Sequence, residues 1–141
     1  MSATVLVIDD EPPIRKLLRM GLATQGYAIL EAPNGRTALA VLGREGADLV
    51  ILDLGLPDGS GLDLIAELRA QGWSRVVVLA ASDDPSAVRA AFQAGAQAYL
   101  LKSASPGIVT DGVRRVLEGG LYADPPVAPL LAAGPRVPAT D

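Results

Sequence analysis

Charged side chains follow three apolar runs of the sequence, and their types suit phosphoryl chemistry. Asp9 and Asp10 follow the first run, Asp53 follows the third, and Lys102 follows the fifth. If these runs are parallel strands, their carboxyl ends meet at one edge of a sheet, which is where such sheets bind ligands. Three converging carboxylates repel one another unless a cation joins them. Oxygen ligands without His or Cys favour a hard ion such as Mg²⁺.

The charges of this predicted crevice are close to balanced. The charges of three carboxylates, one Mg²⁺ and the Lys102 ammonium sum to roughly zero. The crevice therefore does not repel an incoming phosphoryl group. An Asp carboxylate can act as the nucleophile in phosphoryl transfer and form an acyl phosphate. Each residue alone is also explained as a helix cap or a solvated charge. Their combination at the ends of the first, third and fifth runs indicates a phosphoryl-accepting site on Asp53.

The apolar runs themselves are typical of strands buried on both faces. They are apolar throughout and partly β-branched, without the alternation of a sheet that has one wet face. The predicted strands are Thr4–Ile8, Tyr27–Glu31, Leu49–Leu52, Val76–Ala80 and Tyr99–Leu101.

Helical spacing fills the stretches between and after these runs. The last of them repeats apolar or small residues at Val109, Gly112, Val113 and Val116. A glycine stands where each of the first four helices should stop: Gly26, Gly46, Gly72 and Gly95. Five strand–helix units predict an α/β fold, a doubly wound five-stranded parallel sheet with five helices.

The residues after this pattern are rich in proline. We therefore expect one domain over residues 1–121, followed by a Pro-rich tail or interdomain linker stub over residues 122–141. At most one short helical turn is expected around 127–132, with a flexible tail beyond it.

Composition narrows the function classes. The 141 residues contain no His and no Cys, which excludes His-based general bases, thiolate metal sites and disulfides. A net charge of −4 argues against direct nucleic-acid binding by this chain. Apolar runs too short for a membrane span and the lack of a secretory signal indicate a cytoplasmic protein.

Three motifs resemble the receiver domains of bacterial two-component response regulators. They are the strand ending in Asp9-Asp10-Glu11, the strand and loop from Leu49 to Gly61, and the stretch from Ala94 to Lys102. The likeness covers about residues 4 to 120 in unbroken register. It implies a flavodoxin-like sheet with strand order 2-1-3-4-5. Gly61 fits the motif, and glycine tolerates a positive φ cheaply in the turn before the third helix.

The resemblance assigns roles to the charged residues. Asp53 would be the phosphoacceptor, and Asp9, Asp10, Asp53 and the backbone carbonyl of Gly55 would hold Mg²⁺. Lys102 would contact the phosphoryl oxygens. Members of this family take the phosphoryl group from a histidine kinase and catalyse only their own phosphorylation and dephosphorylation. An output domain absent from this chain would then control transcription.

Such receivers use two positions as a switch. One of them has a different residue type here, and the behaviour of the other depends on that difference. Ala80 stands where the family usually has Thr or Ser, whose hydroxyl holds a phosphoryl oxygen in the active state. Ser82 lies two residues on and should point the same way, although a water molecule is the better substitute. Tyr99 stands where the family has a rotating aromatic, and it is either a working switch or a tyrosine simply packed on the edge strand.

The stretch after Lys102 also departs from the pattern. Ser103 replaces the usual proline, so the bond after Lys102 is predicted to be trans. Lys102-Ser103 resembles the tetrahelical (NarL/FixJ-like) group, whereas the loop around Gly55 resembles the winged-helix (OmpR/KdpE-like) group. The type of output domain therefore stays open.

Two other function classes compete with the phosphoacceptor. One is an atypical, phosphorylation-independent receiver that serves as a protein-interaction module because Ala80 lacks the hydroxyl. The other is a Mg²⁺-dependent phosphatase, which would need a second acid near Asp53 and a substrate cap.

Two surfaces are candidates for protein partners. The kinase would dock on the first helix, where Arg15 and Arg19 are candidate contacts. A homodimer would form through the fourth helix, fifth strand and fifth helix, where candidate residues are Arg89, Tyr99, Asp111, Arg114 and Arg115.

Overall fold

Six parallel strands form one sheet in the order β2-β1-β3-β4-β5-β6. The computed structural model describes residues 3–59 and 61–132. The strands are β1 (Thr4–Ile8), β2 (Ala28–Ala32), β3 (Leu49–Asp53), β4 (Val76–Ala80), β5 (Ala98–Leu101) and β6 (Tyr122–Ala123). The helices are α1 (Pro12–Ala23), α2 (Gly35–Glu45), α3 (Gly61–Ala70), α4 (Pro85–Ala94), α5 (Pro106–Leu117) and α6 (Ala128–Ala132).

The core lies on both faces of the sheet, as unbroken apolar strands require. Every residue of β3 and β4 is buried. One face of the sheet packs against α2, α3 and α4, and the other packs against α1 and α5. These two layers of helices bury the central strands on both faces.

The predicted strand–helix alternation is confirmed for the first five units, and so is the order 2-1-3-4-5 among their strands. The prediction of only five strands and five helices is wrong. Tyr122 and Ala123 add a sixth strand that pairs in parallel with β5, and α6 follows it. A strand of two residues has no periodicity of its own, so the pattern in the sequence could not reveal it.

Residues 122–130, which the sequence assigns to a tail or linker, pack on the sheet. Val127 is fully buried among residues of the α2, α3 and α4 face. The helical turn predicted around 127–132 corresponds to α6. The flexible tail predicted beyond it lies outside the described residues.

Glycine serves two different purposes in the fold. The four glycines predicted to end helices all have positive φ, between 71° and 120°. The positive φ predicted for Gly61 is wrong, because Gly61 is not among the glycines in that region. Gly61 is needed instead for close approach, since a Cβ there would lie 2.6 Å from the Cα of Leu54.

Two further expectations concern the backbone and the membrane. The described residues contain no cis peptide bond, so the bond after Lys102 is trans as predicted. None of the described helices has the length and apolar character needed to cross a membrane.

Candidate functional site

Asp9 directly follows β1, and Asp53 ends the neighbouring strand β3. Both are buried, with 0% and 3% of their surfaces exposed. Each carboxylate is oriented by a local backbone amide. Asp9 Oδ1 accepts a hydrogen bond from the Glu11 amide at 2.8 Å, and Asp53 Oδ1 accepts one from the Gly55 amide at 2.9 Å. These bonds leave the second oxygen of each carboxylate for other ligands.

Lys102 brings its ammonium group to these second oxygens. Its backbone amide donates to the carbonyl of Ala80 at 2.9 Å, which anchors the lysine just beyond β5. Its Nζ lies 3.0 Å from Asp53 Oδ2 and 3.4 Å from Asp9 Oδ2. The lysine side chain is only 17% exposed, so these ion pairs are largely shielded from water.

The protonation preferences in the crevice follow from burial and charge. Burial raises the pKa of Asp9, and the nearby Asp53 charge adds to this, against the lowering effects of the Glu11 amide and of Lys102. Burial lowers the pKa of Lys102, but hydrogen bonds to Glu11 and Asp53 and the charges of Asp53 and Asp9 outweigh it. The pKa of Lys102 is therefore above its ordinary value, and the lysine is a firmly held cation.

The acidic side chains are close enough to share a metal ion. Asp9, Asp10, Glu11 and Asp53 each offer a carboxylate oxygen, and these oxygens all lie within 4.8 Å of one another. Asp9 Oδ2 is buried and accepts no hydrogen bond from the described residues, because the contact with Lys102 is an ion pair without hydrogen-bond geometry. An all-oxygen cluster with a buried carboxylate oxygen that accepts no hydrogen bond fits a hard divalent cation.

The structure thus brings together the predicted residues Asp9, Asp10, Asp53 and Lys102. Gly55 borders the same crevice, a cavity of about 470 Å³ that is also lined by Asp10, Asp53 and Lys102.

Glu11 belongs to this site, although the prediction leaves it out. Its Oε2 lies 2.8 Å from Lys102 Nζ, the shortest of the lysine's ion pairs. The sequence shows Glu11 as the third acidic residue after β1, but the prediction gives it no role in the site.

Asp58 is a second contributor that the prediction misses. Its two carboxylate oxygens accept hydrogen bonds from the amides of Gly35 and Arg36, at 3.1 and 3.0 Å. These bonds lower the pKa of Asp58 and tie the loop after Asp53 to the start of α2.

The two predicted switch positions lie beside the crevice. Ala80 ends β4 and is 5% exposed. Tyr99 is fully buried, and its hydroxyl donates to the carbonyl of Ser82 at 2.6 Å. Tyr99 is thus packed inward rather than out on the edge. Its burial, together with the charges of Asp83 and Asp84, raises its pKa.

Ser82, the candidate substitute for the missing hydroxyl, is exposed and lines the same cavity. Its Oγ accepts a hydrogen bond from the Asp84 amide at 3.0 Å. The Ser82 oxygen therefore stabilises a local turn. The hydroxyl proton takes no part in this hydrogen bond with the Asp84 amide.

Three of the five arginines predicted to face partners form ion pairs within the chain. Arg15 bonds to Glu31 at 3.2 Å and to the backbone carbonyl of Asp9 at 2.7 Å, so it supports the acidic end of β1. Arg19 pairs with Glu31 at 2.7 Å but is 48% exposed. Arg114 pairs with Asp111 at 2.5 Å on the surface of α5.

The chain matches a known family model and is similar in sequence to transcriptional regulatory proteins. The sequence model described as "Response regulator receiver domain" matches residues 5–114, which include every residue of the crevice. The transcriptional regulatory protein KdpE of Mycobacterium tuberculosis is 46% identical over 98 residues, which are 70% of this chain and 43% of KdpE. The transcriptional regulatory protein UhpA of Salmonella typhimurium is 37% identical over 139 residues, which are 97% of this chain and 70% of UhpA.

A solved structure is similar over nearly the whole chain. The LuxR-family two-component response regulator from Aurantimonas superposes with a TM-score of 0.88 at 25% identity, covering 94% of this chain and 97% of that one. The relatives include regulators of both the KdpE and the UhpA type, which agrees with the mixed motifs of the sequence. The chain spans less than half the length of the KdpE relative.

Proposed function

This chain belongs to the response regulator receiver domain family, and from that premise we propose that it accepts a phosphoryl group on Asp53 in a Mg²⁺-dependent reaction. The donor would be the phosphohistidine of a histidine kinase. One observation carries the proposal: Lys102 Nζ lies 3.0 Å from Asp53 Oδ2, beside carboxylate oxygens that are all within 4.8 Å of one another.

The residues of the chain divide the work of the reaction. A carboxylate oxygen of Asp53 forms the new bond to phosphorus, while the phosphorus–nitrogen bond of the donor breaks and its electron pair returns to the imidazole. The Gly55 amide holds the other Asp53 oxygen, and Lys102 pairs with the charge on the phosphoryl oxygens. The carboxylates of Asp9, Asp10 and Asp53 and the backbone carbonyl of Gly55 would hold the metal. When bound, Mg²⁺ would neutralise the crevice and stabilise the charge on the transferred group.

The experiment is phosphorylation with a small donor. The chain is incubated with Mg²⁺ and acetyl phosphate, or with beryllofluoride as a mimic, and intact mass and amide shifts are followed. Asp53→Asn should abolish the adduct. Asp63→Asn, which alters an exposed carboxylate on α3 outside the crevice, should keep it. An unmodified wild-type chain at saturating donor would overturn the proposal. Turnover would be limited to the chain's own acyl phosphate, so we do not propose an enzyme acting on other substrates.

A second candidate function has its own observation. Tyr99 is already buried and bonded to the Ser82 carbonyl, and Ala80 provides no hydroxyl to change that arrangement. The chain could then serve as an interaction module whose surface does not depend on phosphorylation. An adduct on Asp53 that changes amide shifts only in the crevice would favour this function.

The partners proposed for the whole protein follow from its relatives. KdpE and UhpA are transcriptional regulatory proteins, so we propose transcriptional control through an output domain outside this chain. A histidine kinase would dock on α1, where Arg19, Leu17 and Met20 are exposed. A homodimer through α4, β5 and α5 would have to accommodate β6 and α6, which pack on β5 and α4.

A further inference from the structure

Asp124 is a buried carboxylate outside the crevice. It follows β6 directly and is 3% exposed. Its backbone amide donates to the Tyr99 carbonyl at 2.9 Å, and its Oδ2 accepts the Leu101 amide at 3.0 Å. One residue therefore satisfies two backbone groups on the outer edge of β5.

The side chain of Asp124 replaces a backbone group of the sheet. In a parallel ladder, the residue that donates to Tyr99 would use its own carbonyl to accept the Leu101 amide. The Asp124 carbonyl instead accepts the amides of Val127 and Ala128, at 2.7 and 3.0 Å, which turns the chain into α6. The carboxylate fills the position that the carbonyl leaves.

This bond bears on the crevice because Leu101 is the last residue of β5 and precedes Lys102. The Leu101 amide is fixed by Asp124 on the outer edge, and the Lys102 amide is fixed by Ala80 on the inner edge. The Lys102 side chain starts from this doubly held backbone and reaches Asp53 at 3.0 Å. A small displacement of a catalytic group lowers a rate strongly when geometry controls the reaction.

We propose that Asp124 is a positioning residue for Lys102, and that it couples residues 122–130 to the phosphoryl-accepting crevice. This inference rests on the proposed function of Asp53 and Lys102. Val127 extends the coupling, because it is fully buried in the same apolar cluster as Tyr99 and Val88. Whatever displaces this segment releases the Leu101 amide and loosens the backbone that carries Lys102.

The experiment compares two variants of the full chain. Asp124→Ala removes the acceptor of the Leu101 amide, and the rate of phosphorylation by acetyl phosphate at saturating donor should fall about 5- to 20-fold. Asp124→Asn keeps a side-chain carbonyl oxygen at the same place and should stay within about twofold of wild type. The Mg²⁺ concentration for half-maximal rate should not change in either variant, because the proposed metal ligands are untouched.

A matched control separates positioning from general loss of stability. Val116→Ala removes part of a fully buried side chain of α5 on the opposite face of the sheet. It should lower Tm but leave the rate within about twofold of wild type. The proposal is overturned if Asp124→Ala reacts at the wild-type rate, if Asp124→Asn is equally slow, or if Val116→Ala shows the same loss.

Failure of the proposed function would look different. If the wild-type chain forms no adduct, the Asp53 proposal fails, and amide hydrogen exchange without metal or donor decides the role of Asp124. Exchange at Leu101 and Lys102 should then be faster in Asp124→Ala than in wild type or Asp124→Asn. Equal exchange in all three would overturn the coupling itself.

Discussion

The acidic crevice and the Ala80–Tyr99 region line one cavity, but they differ in how many of the contacts expected of their residues are present. In the crevice, Lys102 makes ion pairs of 2.8 to 3.4 Å with three carboxylates. In the Ala80–Tyr99 region, Ala80 has no hydroxyl to contact a phosphoryl oxygen, and the Tyr99 hydroxyl donates to the Ser82 carbonyl. The difference indicates that the proposed capture of a phosphoryl group and the proposed response to it would depend on separate sets of residues.

Lys102→Ala should disrupt the crevice and have a larger effect than any change in the Ala80–Tyr99 region. Loss of the cation leaves Asp9 and Asp53 buried without a charge partner, so the free energy of unfolding without metal should fall by about 2–4 kcal/mol. Phosphorylation by acetyl phosphate should slow about 100-fold or more. Urea unfolding with and without Mg²⁺ checks the first effect, because a bound ion should restore part of the stability.

Lys16→Ala, at an exposed position of α1, is the control for loss of one positive charge. It should change neither stability nor rate measurably. Equal effects of the two variants would show that net charge, and not the position of Lys102, controls the crevice.

Ala80→Thr should supply the hydroxyl that Ala80 lacks. A hydrogen bond to a charged phosphoryl group contributes about 1.5–3 kcal/mol, so the phosphorylated state should gain a contact that wild type lacks. With beryllofluoride, amide shift changes at Tyr99 and α4 should be larger in the variant than in wild type. Ala81→Thr, at the exposed neighbouring position, should resemble wild type. Equal responses at α4 in the variant and in wild type would contradict this account.

Tyr99→Phe tests the Ala80–Tyr99 region by removing a hydroxyl instead of adding one. Loss of the hydrogen bond to Ser82 should lower the free energy of unfolding by about 1 kcal/mol. Phosphorylation of Asp53 should proceed at the wild-type rate, since the Tyr99 hydroxyl bonds to the Ser82 carbonyl and not to the crevice carboxylates. A slowed rate in this variant would mean that the two regions are not separable.

The pH dependence of stability offers the smallest effect. Burial raises the pKa of Tyr99 above its ordinary value of 10.0, so the stability linked to its proton is complete below pH 10.0 and is lost as the pH rises through the folded-state pKa. The difference in unfolding free energy between wild type and Tyr99→Phe should therefore shrink above pH 10.0. Denaturant unfolding of both proteins from neutral to alkaline pH measures it, and a difference that grows with pH would refute the assigned direction.

Much of the crevice is predictable because it follows from strand ends. Asp9, Asp53 and Lys102 each follow an apolar run, and parallel strands bring such ends together. Glu11 was harder to place, because whether an exposed acid reaches Lys102 depends on the backbone after β1. The role of Gly61 was predicted for the wrong reason, since close approach to Leu54 is a tertiary contact with no local pattern.

The end of the chain was the least predictable part. Tyr122 and Ala123 are too few to show strand periodicity, and the prolines nearby are typical of a linker. Their pairing with β5 and the two bonds of Asp124 depend on an edge that exists only once the sheet has formed. The sequence also leaves open whether Tyr99 is a working switch or a packed side chain, because the conformation of a core side chain depends on its neighbours.

The sixth strand also governs how the molecule meets copies of itself. Without it, the sheet would end on β5, a short apolar strand whose free amides and carbonyls could pair with another chain. The pairing with β6 and the carboxylate of Asp124 close that edge, and β2 remains as the long edge of the sheet among the described residues. Because β6 has only two residues, it offers far fewer free amides and carbonyls than β5 would, which limits edge-to-edge pairing on this side of the sheet.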